Sequence, residues 1–308
     1  IRGVPGWVTR VIIEDRTVDY WAPNSKTKHL LVAHDGQNVF DGHTSTHKNK
    51  TWEMAQSAIR VSEDLGITPP LIIAVFHSGT KKEPWGRTLD LSPQDIFQSG
   101  IEVTPSTKVK IPLEKLNGNA YLDLIADQII PAISAEFNFQ VNPVNTAMIG
   151  SSMGGLATLN GVARRPDLYR TALAFSPHWS VGGKPLVDLL INALPKPGNH
   201  KIWMSRGTKG LDREYKPFQD LADELMLKNG YHLHRDFESK VYERAGHNEK
   251  AWAKYLPTAL WAMFETLQMA FIGTVIGVAI GLPLSMLAAR NLNSKFVYAP
   301  TRALLAII

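Results

Sequence analysis

Apolar and polar positions alternate along this chain with two different periods. Short apolar runs recur at His29–Ala33, Leu71–Phe76, Ala147–Ile149, Thr171–Phe175, Lys201–Ser205 and Tyr231–Asp236. Between them lie longer segments whose apolar side chains return every three or four residues: Trp52–Leu65, Asn119–Phe137, Leu156–Arg165, Tyr215–Lys228 and Ala251–Phe264. Short unbroken runs fit strands covered on both faces, and the longer period fits surface helices. In Asn119–Phe137 the buried face is explicit, with Leu122, Ile125, Ala126, Ile129, Ile130 and Ile133 on one broad stripe. Ahead of this alternation, Trp7–Ile13 and Thr17–Tyr20 read as two strands turning near Asp15 and Arg16, an antiparallel edge. Strand and helix alternating over residues 29–264 predict an α/β fold, a doubly wound, mostly parallel sheet with helices on both faces.

Three segments break the pattern. His77–Lys115 and Ser176–His200 are long, proline-containing excursions of the kind that cover or shape a site. Thr266–Ala289 carries 24 residues without a charge. At about 1.5 Å of rise per residue, such a helix crosses roughly 30 Å of hydrocarbon. Gly273, Gly277 and Gly281 recur on one face, a stripe suited to close helix packing in lipid. The alternative is a buried C-terminal helix of the preceding domain, which these glycines and Pro283 would weaken in water. The expectation is therefore a domain over 1–265 and a hydrophobic membrane helix within 266–308. Arg290, Lys295 and Arg302 follow the span and point to a cytoplasmic end.

Composition narrows the chemistry. Cysteine is absent, which excludes disulfides, a thiol nucleophile and thiolate metal sites. The net charge is +5. Residues 266–308 supply three of those charges and no acid, leaving +2 on residues 1–265, and no basic stripe suggests a nucleic-acid partner. The first residues lack a start methionine and a signal-peptide layout, as expected for a chain that begins inside a longer or processed one. Membrane association is expected if the tail acts as a span, and a cytoplasmic location otherwise.

The strongest chemical signal is Gly150-x-Ser152-x-Gly154, directly after Ala147–Ile149 and ahead of a helix. That order holds a serine hydroxyl at the rim of a parallel sheet. Serine needs a base, and His247, between the last strand and the last helix, is the candidate. An acid must then fix the histidine tautomer; Asp212 fits, with Glu214 as the alternative. Backbone amides of Met153 and of Gly36 or Gln37 are placed to hold an oxyanion, with Asp35 turned away to bond backbone amides. Gln37 and Asn38 are expected to brace that loop. Asp35, Asn38, His178 and Trp179 are candidates for the substrate pocket. The pairs His43 with His47 and His232 with His234 lack a convergent third ligand, so no metal and no cofactor are expected. The partner implied is a small-molecule ester.

Together, Gly150-Ser151-Ser152-Met153-Gly154-Gly155, His34-Asp35-Gly36-Gln37-Asn38-Val39-Phe40-Asp41, the turn Gly207–Asp212 and Gly246-His247 resemble the Putative esterase family. This group of the α/β-hydrolase superfamily includes esterase D, enterochelin esterase and feruloyl esterase domains. The resemblance covers residues 4–264. It implies a serine carboxylic-ester hydrolase without metal, working through an acyl-enzyme on Ser152, Asp212 and His247. The family often carries an Arg-x-x-Glu/Tyr-x-Pro-like segment; Arg87–Pro93 matches it in part and leaves the substrate subgroup open. Glutathione thioesters, sugar esters and siderophore esters all remain.

The tail, Glu265–Thr274 and Gly281–Asn291, resembles the opening of a phosphonate-type ABC transporter permease. One span cannot line a transport path, so this reads as a truncated permease-like segment on an esterase domain. A transporter component and a non-catalytic binding domain are the competing functions.

Overall fold

The structure, a computed structural model, describes residues 1, 3–23, 26–47, 49–104 and 112–305, and describes 265–276 and 304 by backbone alone. It comprises two compact units, Ile1–Met263 and Phe264–Ile308. In the first, eight strands form one sheet among the described residues. They are β1 (Val8–Ile13), β2 (Arg16–Trp21), β3 (Leu30–Ala33), β4 (Leu71–Val75), β5 (Thr146–Ser151), β6 (Thr171–Phe175), β7 (Lys201–Gly207) and β8 (Phe237–Tyr242). Their spatial order is β1-β2-β4-β3-β5-β6-β7-β8. β2 runs antiparallel to β1 and β4, and every other pairing is parallel. The mostly parallel α/β sheet with an antiparallel edge is therefore present. β3, β4 and β6 are buried along their whole length, as apolar strands with both faces covered must be.

Helices α1 (Met54–Leu65), α2 (Gly86–Leu91), α3 (Gln94–Gln98), α4 (Gly118–Leu124), α5 (Ile130–Glu136), α6 (Met153–Arg164), α7 (Gly183–Ala193), α8 (Leu211–Glu214) and α9 (Lys216–Lys228) connect the strands. α10 (Glu249–Leu287) starts in the first unit and runs into the second, which also holds α11 (Lys295–Leu305). The strand order reverses beside β3, which has β4 on one side and β5 on the other. A crevice beyond the carboxyl ends of strands opens at such a switch point. It is bounded by the loops after β3 and β5.

Several expectations need correction. The helix expected over Asn119–Phe137 is α4 and α5 joined by a π-helical segment, Ile125–Ile129. Pro131 explains the widening, because a proline ring inside a helix removes one amide and crowds a carbonyl in the preceding turn. The last strand is not Tyr231–Asp236 but Phe237–Tyr242. Residues 231–236 turn instead: the Asp236 amide donates to the His232 carbonyl at 2.9 Å, and its carboxylate accepts from the His232 amide at 2.9 Å. β8 is a half-exposed edge strand, so its charged sequence lacks the apolar run that marks a central one. The excursions after β4 and β6 are partly helical, as α2, α3 and α7.

Among the described residues no helix is long and apolar enough to cross a membrane. The span expected at 266–289 rests on side chains that, through residue 276, lie outside the described residues.

Candidate active site

The sheet brings the polar candidates to one rim because each lies just beyond the carboxyl end of a parallel strand. Asp35–Asn38 follow β3, Ser152 follows β5, Ser176 and His178 follow β6, Asp212 follows β7, and His247 lies between β8 and α10. Ser152 occupies the turn into α6 with φ 57° and ψ −121°, a backbone conformation most residues avoid. Such conformations persist where the surroundings enforce them, often at functional sites. Here Gly150 permits the enforcement: a Cβ on it would lie 2.4 Å from the Gly154 carbonyl oxygen.

Both carboxylate oxygens of Asp212 are bonded. His247 Nδ1 is 2.6 Å from Asp212 Oδ1, while Oδ2 accepts from Ser176 Oγ at 2.7 Å and from the Gly207 amide at 2.6 Å. Burial raises the Asp212 pKa, but the bonds from His247, Ser176 and Gly207 outweigh it and bring the group below the ordinary carboxyl value. An ionised carboxylate can only accept, so His247 carries its proton on Nδ1 and keeps Nε2 as the lone-pair nitrogen. That is the tautomer a general base needs. Glu214, the alternative acid, is exposed at the end of α8. Trp252 Nε1 donates to Ser176 Oγ at 3.2 Å and its ring packs edge-on against His247 at 4.9 Å.

The loop after β3 packs on the first turn of α6, since a Cβ on Gly154 would meet Asp35 Oδ2 at 3.2 Å and His34 Cβ at 3.3 Å. Gly36–Asn38 form a 3-10 turn. The leading amides of such a turn, Gly36 and Gln37, and that of Met153 at the start of α6 have no partner within their own helices. Gly36 admits no side chain, because a Cβ would lie 2.4 Å from the Ala74 carbonyl oxygen. Asn38 does brace the loop, its Oδ1 accepting from the Thr46 amide at 2.8 Å. The Gln37 side-chain amide, expected to do the same, is buried without a partner among the described residues; its backbone carbonyl accepts from Thr44 Oγ1 at 2.8 Å.

Asp35 corrects a further expectation. Among the described residues its carboxylate bonds no backbone amide but takes a two-pronged bond from Arg87, Nε to Oδ1 and Nη2 to Oδ2, both at 2.7 Å. Arg87 Nη2 also reaches the Ser151 carbonyl at 3.5 Å. Burial pushes the Asp35 pKa up, and Arg87, His77 and His34 pull it below the usual range. Within the partial motif Arg87–Pro93, Asp90 is occupied elsewhere, by Arg16 and the Ser78 amide, each at 2.6 Å. His34 bonds the Tyr121 hydroxyl at 2.9 Å, and burial lowers its pKa to about 4.

His178 gives its backbone N–H to the Ser152 carbonyl at 3.1 Å, and its ring bonds the Tyr215 hydroxyl. Trp179 is fully buried in the core and donates to Gln219 Oε1 at 3.2 Å, so it packs beneath the loop. His232 and His234 face Asp236 and Glu238, and His47 faces Glu249. Sequence reasoning missed Ser176 and Tyr215 and gave Arg87 no role. Ser176 directly follows an apolar strand, the position that marked the other candidates. Tyr215 lacked a signal, being one aromatic at a helix start.

Known proteins share this fold. Among solved structures, an IroE-like serine hydrolase from Shewanella oneidensis superposes with a TM-score of 0.66 at 16% identity, over 97% of this chain and 100% of that one. An enterochelin esterase from Shigella flexneri gives 0.56 at 14%, over 84% and 59%, and the siderophore hydrolase EstB from Aspergillus nidulans 0.55 at 17%, over 85% and 97%. At these identities the likeness is one of fold. "Uncharacterized protein YbbA" of Bacillus subtilis (strain 168) is 27% identical over 154 residues, which are 46% of this chain. The chain thus spans 58% of that curated relative's length. The model of the Putative esterase family matches residues 14–263, a stretch that holds the site loops after β3, β5, β6, β7 and β8, and the chain belongs to that family.

Proposed function

We propose that the chain is a serine hydrolase of carboxylic esters, acting through an acyl-enzyme on Ser152. The observation that carries the reading is the 2.6 Å bond between His247 Nδ1 and Asp212 Oδ1, which makes Nε2 the free base. Tyr215 stands between the two halves of the site, its ring edge-on to His247 at 5.7 Å and its hydroxyl bonded to His178, whose backbone N–H bonds the Ser152 carbonyl at 3.1 Å.

In this reading His247 Nε2 takes the Ser152 hydroxyl proton as Oγ bonds to the carbonyl carbon. The carbonyl electron pair moves to oxygen, facing the amides of Met153 and of Gly36 or Gln37. The tetrahedral intermediate collapses, the bond to the alcohol oxygen breaks, and His247 returns the proton to the departing alkoxide. Water then repeats the sequence, giving His247 a proton and releasing the carboxylic acid from Ser152. The Arg87–Asp35 pair supports the loop that presents one oxyanion donor. Residues 1–265 are the hydrolase domain; the family match stops at residue 263, short of the permease-like stretch.

The names of the matched structures make siderophore and enterochelin esters the first substrates to try. Acyl, aryl, sugar and catecholate-lactone esters should be assayed on the chain and on Ser152→Ala. The variant is expected to lose about 10⁴-fold or more in kcat on any ester that is turned over. Turnover by Ser152→Ala within about tenfold of the parent would end the hydrolase reading.

A further inference from the structure

Tyr215 is fully buried, and its hydroxyl bonds His178 Nδ1. Its ring lies edge-on to two imidazoles, His178 at 5.8 Å and His247 at 5.7 Å. Burial lowers the His178 pKa to about 4, so that ring is neutral near pH 7, with one N–H and one lone pair. A phenol is a stronger acid than a neutral imidazole N–H, and imidazole nitrogen is the stronger base. The proton in their bond therefore runs from Tyr215 oxygen to His178 Nδ1. This fixes the imidazole N–H at Nε2. That atom has no protein partner among the described residues and is not wholly buried, and the residue is tied to the nucleophile turn by its backbone N–H, which bonds the Ser152 carbonyl at 3.1 Å.

Sheet order says which half of an ester it faces. The oxyanion loop follows β3 on one side of β5, whereas His178 follows β6 on the other side, toward β7 and β8, where Asp212 and His247 stand. His247 returns its proton to the leaving alcohol. A donor that shares Tyr215 with His247 therefore lies on the alcohol side.

We propose that His178 Nε2–H is a specificity contact for the alcohol half of the substrate, oriented by Tyr215, and selects alcohols with an ether or hydroxyl oxygen close to the scissile bond. This rests on the hydrolase reading. Tyr215 is the positioning residue: it touches His178, not the substrate.

The test compares 2-methoxyethyl butanoate with butyl butanoate on the full chain. The two esters differ only by an oxygen in place of one methylene of the alcohol. The kcat/KM ratio for the pair is expected to fall about tenfold in His178→Phe and in Tyr215→Phe, and to be restored in His178→Gln, which keeps an N–H at a similar position. A structural role alone would slow both esters equally and leave the ratio of the parent, which overturns the proposal. Should His178→Phe fail to fold, Tyr215→Phe, lacking only one oxygen, carries the same comparison. A parent that hydrolyses no ester at all removes the hydrolase reading and the proposal together. A parent that hydrolyses both, with a ratio neither variant moves, removes the proposal alone.

Discussion

Asp212 is sealed from solvent with donors at both oxygens, so replacing one oxygen by an amide has a definite chemical consequence. In Asp212→Asn one of His247 Nδ1–H, Ser176 Oγ–H and the Gly207 amide must face another donor. If His247 gives way, its proton moves to Nε2 and the base is lost. Loss of about 10⁴-fold in kcat with the KM little changed is expected; a loss below about tenfold would show that the tautomer is fixed by some other group. Titration behaviour follows from the same buried groups. His29, His34 and His178 have pKa values lowered from 6.5 to about 4, chiefly by burial. Between those values the unfolded chain binds protons that the folded chain refuses, so stability falls as pH drops from 6.5 toward 4 and then levels off. Asp35 and Asp212 have lowered pKa values, so their contribution is complete above the unfolded value near 3.8 and is lost only below it. Urea midpoints should therefore decline in two stages, and a midpoint unchanged from pH 7 to pH 4.5 would contradict the histidine stage. Ser152, Asp212 and His247, the proposed nucleophile, acid and base, could be singled out in the sequence because each was expected just beyond a separate strand, and the structure brings Asp212 and His247 into contact. The partner of Asp35 could not be, since Arg87 reaches it from a helix 52 positions on that gave no periodic signal.

At the scale of elements, the turn from β5 into α6 and the loop after β3 both depend on close approach of backbone to backbone. Gly150→Ala would push a methyl to 2.4 Å from the Gly154 carbonyl oxygen, and Gly36→Ala would do the same at Ala74. Each is expected to cost about 1–3 kcal/mol in overpacking. Gly36→Ala should also lower kcat by about 10²-fold as the oxyanion donor moves. Circular dichroism with kinetics on the folded fraction separates the two effects, and a Gly36→Ala protein of normal stability and normal kcat would remove the loop from the site. The Arg87–Asp35 pair couples the same loop to the chain before Ser152. Arg87→Met would leave a buried carboxylate without its fork, at a cost of about 3–5 kcal/mol if Asp35 stays charged. A Tm equal to that of the parent would show the carboxylate to be satisfied otherwise. The sequence pattern located the central strands because burial on both faces leaves an unbroken apolar run. It misplaced the last strand, where one-sided exposure at a sheet edge admits charge. It also passed over α2 and α3, whose few turns are too short to display a period.

For the whole molecule, the division at residue 263 separates a unit that carries the family match from one that does not. The early turns of α10 belong to the first unit through Trp252, Leu256, Ala259, Leu260 and Met263, all of them buried. From residue 277 onward the described side chains are mostly exposed, including Val278, Ile280, Leu282 and Met286. Exposed apolar side chains in such number favour association in water. We therefore propose that the hydrolase domain ends near residue 265 and that the remainder governs association more than chemistry. A chain ending at Glu265 keeps the buried turns of α10 and sheds the exposed ones. Its kcat/KM on any turned-over ester should stay within about twofold of the full chain, as for changes remote from a site. Its tendency to self-associate, followed by light scattering across a concentration series, should fall. A truncated chain that folds but loses turnover would place part of the site beyond residue 265, and equal scattering from both chains would remove the tail from association.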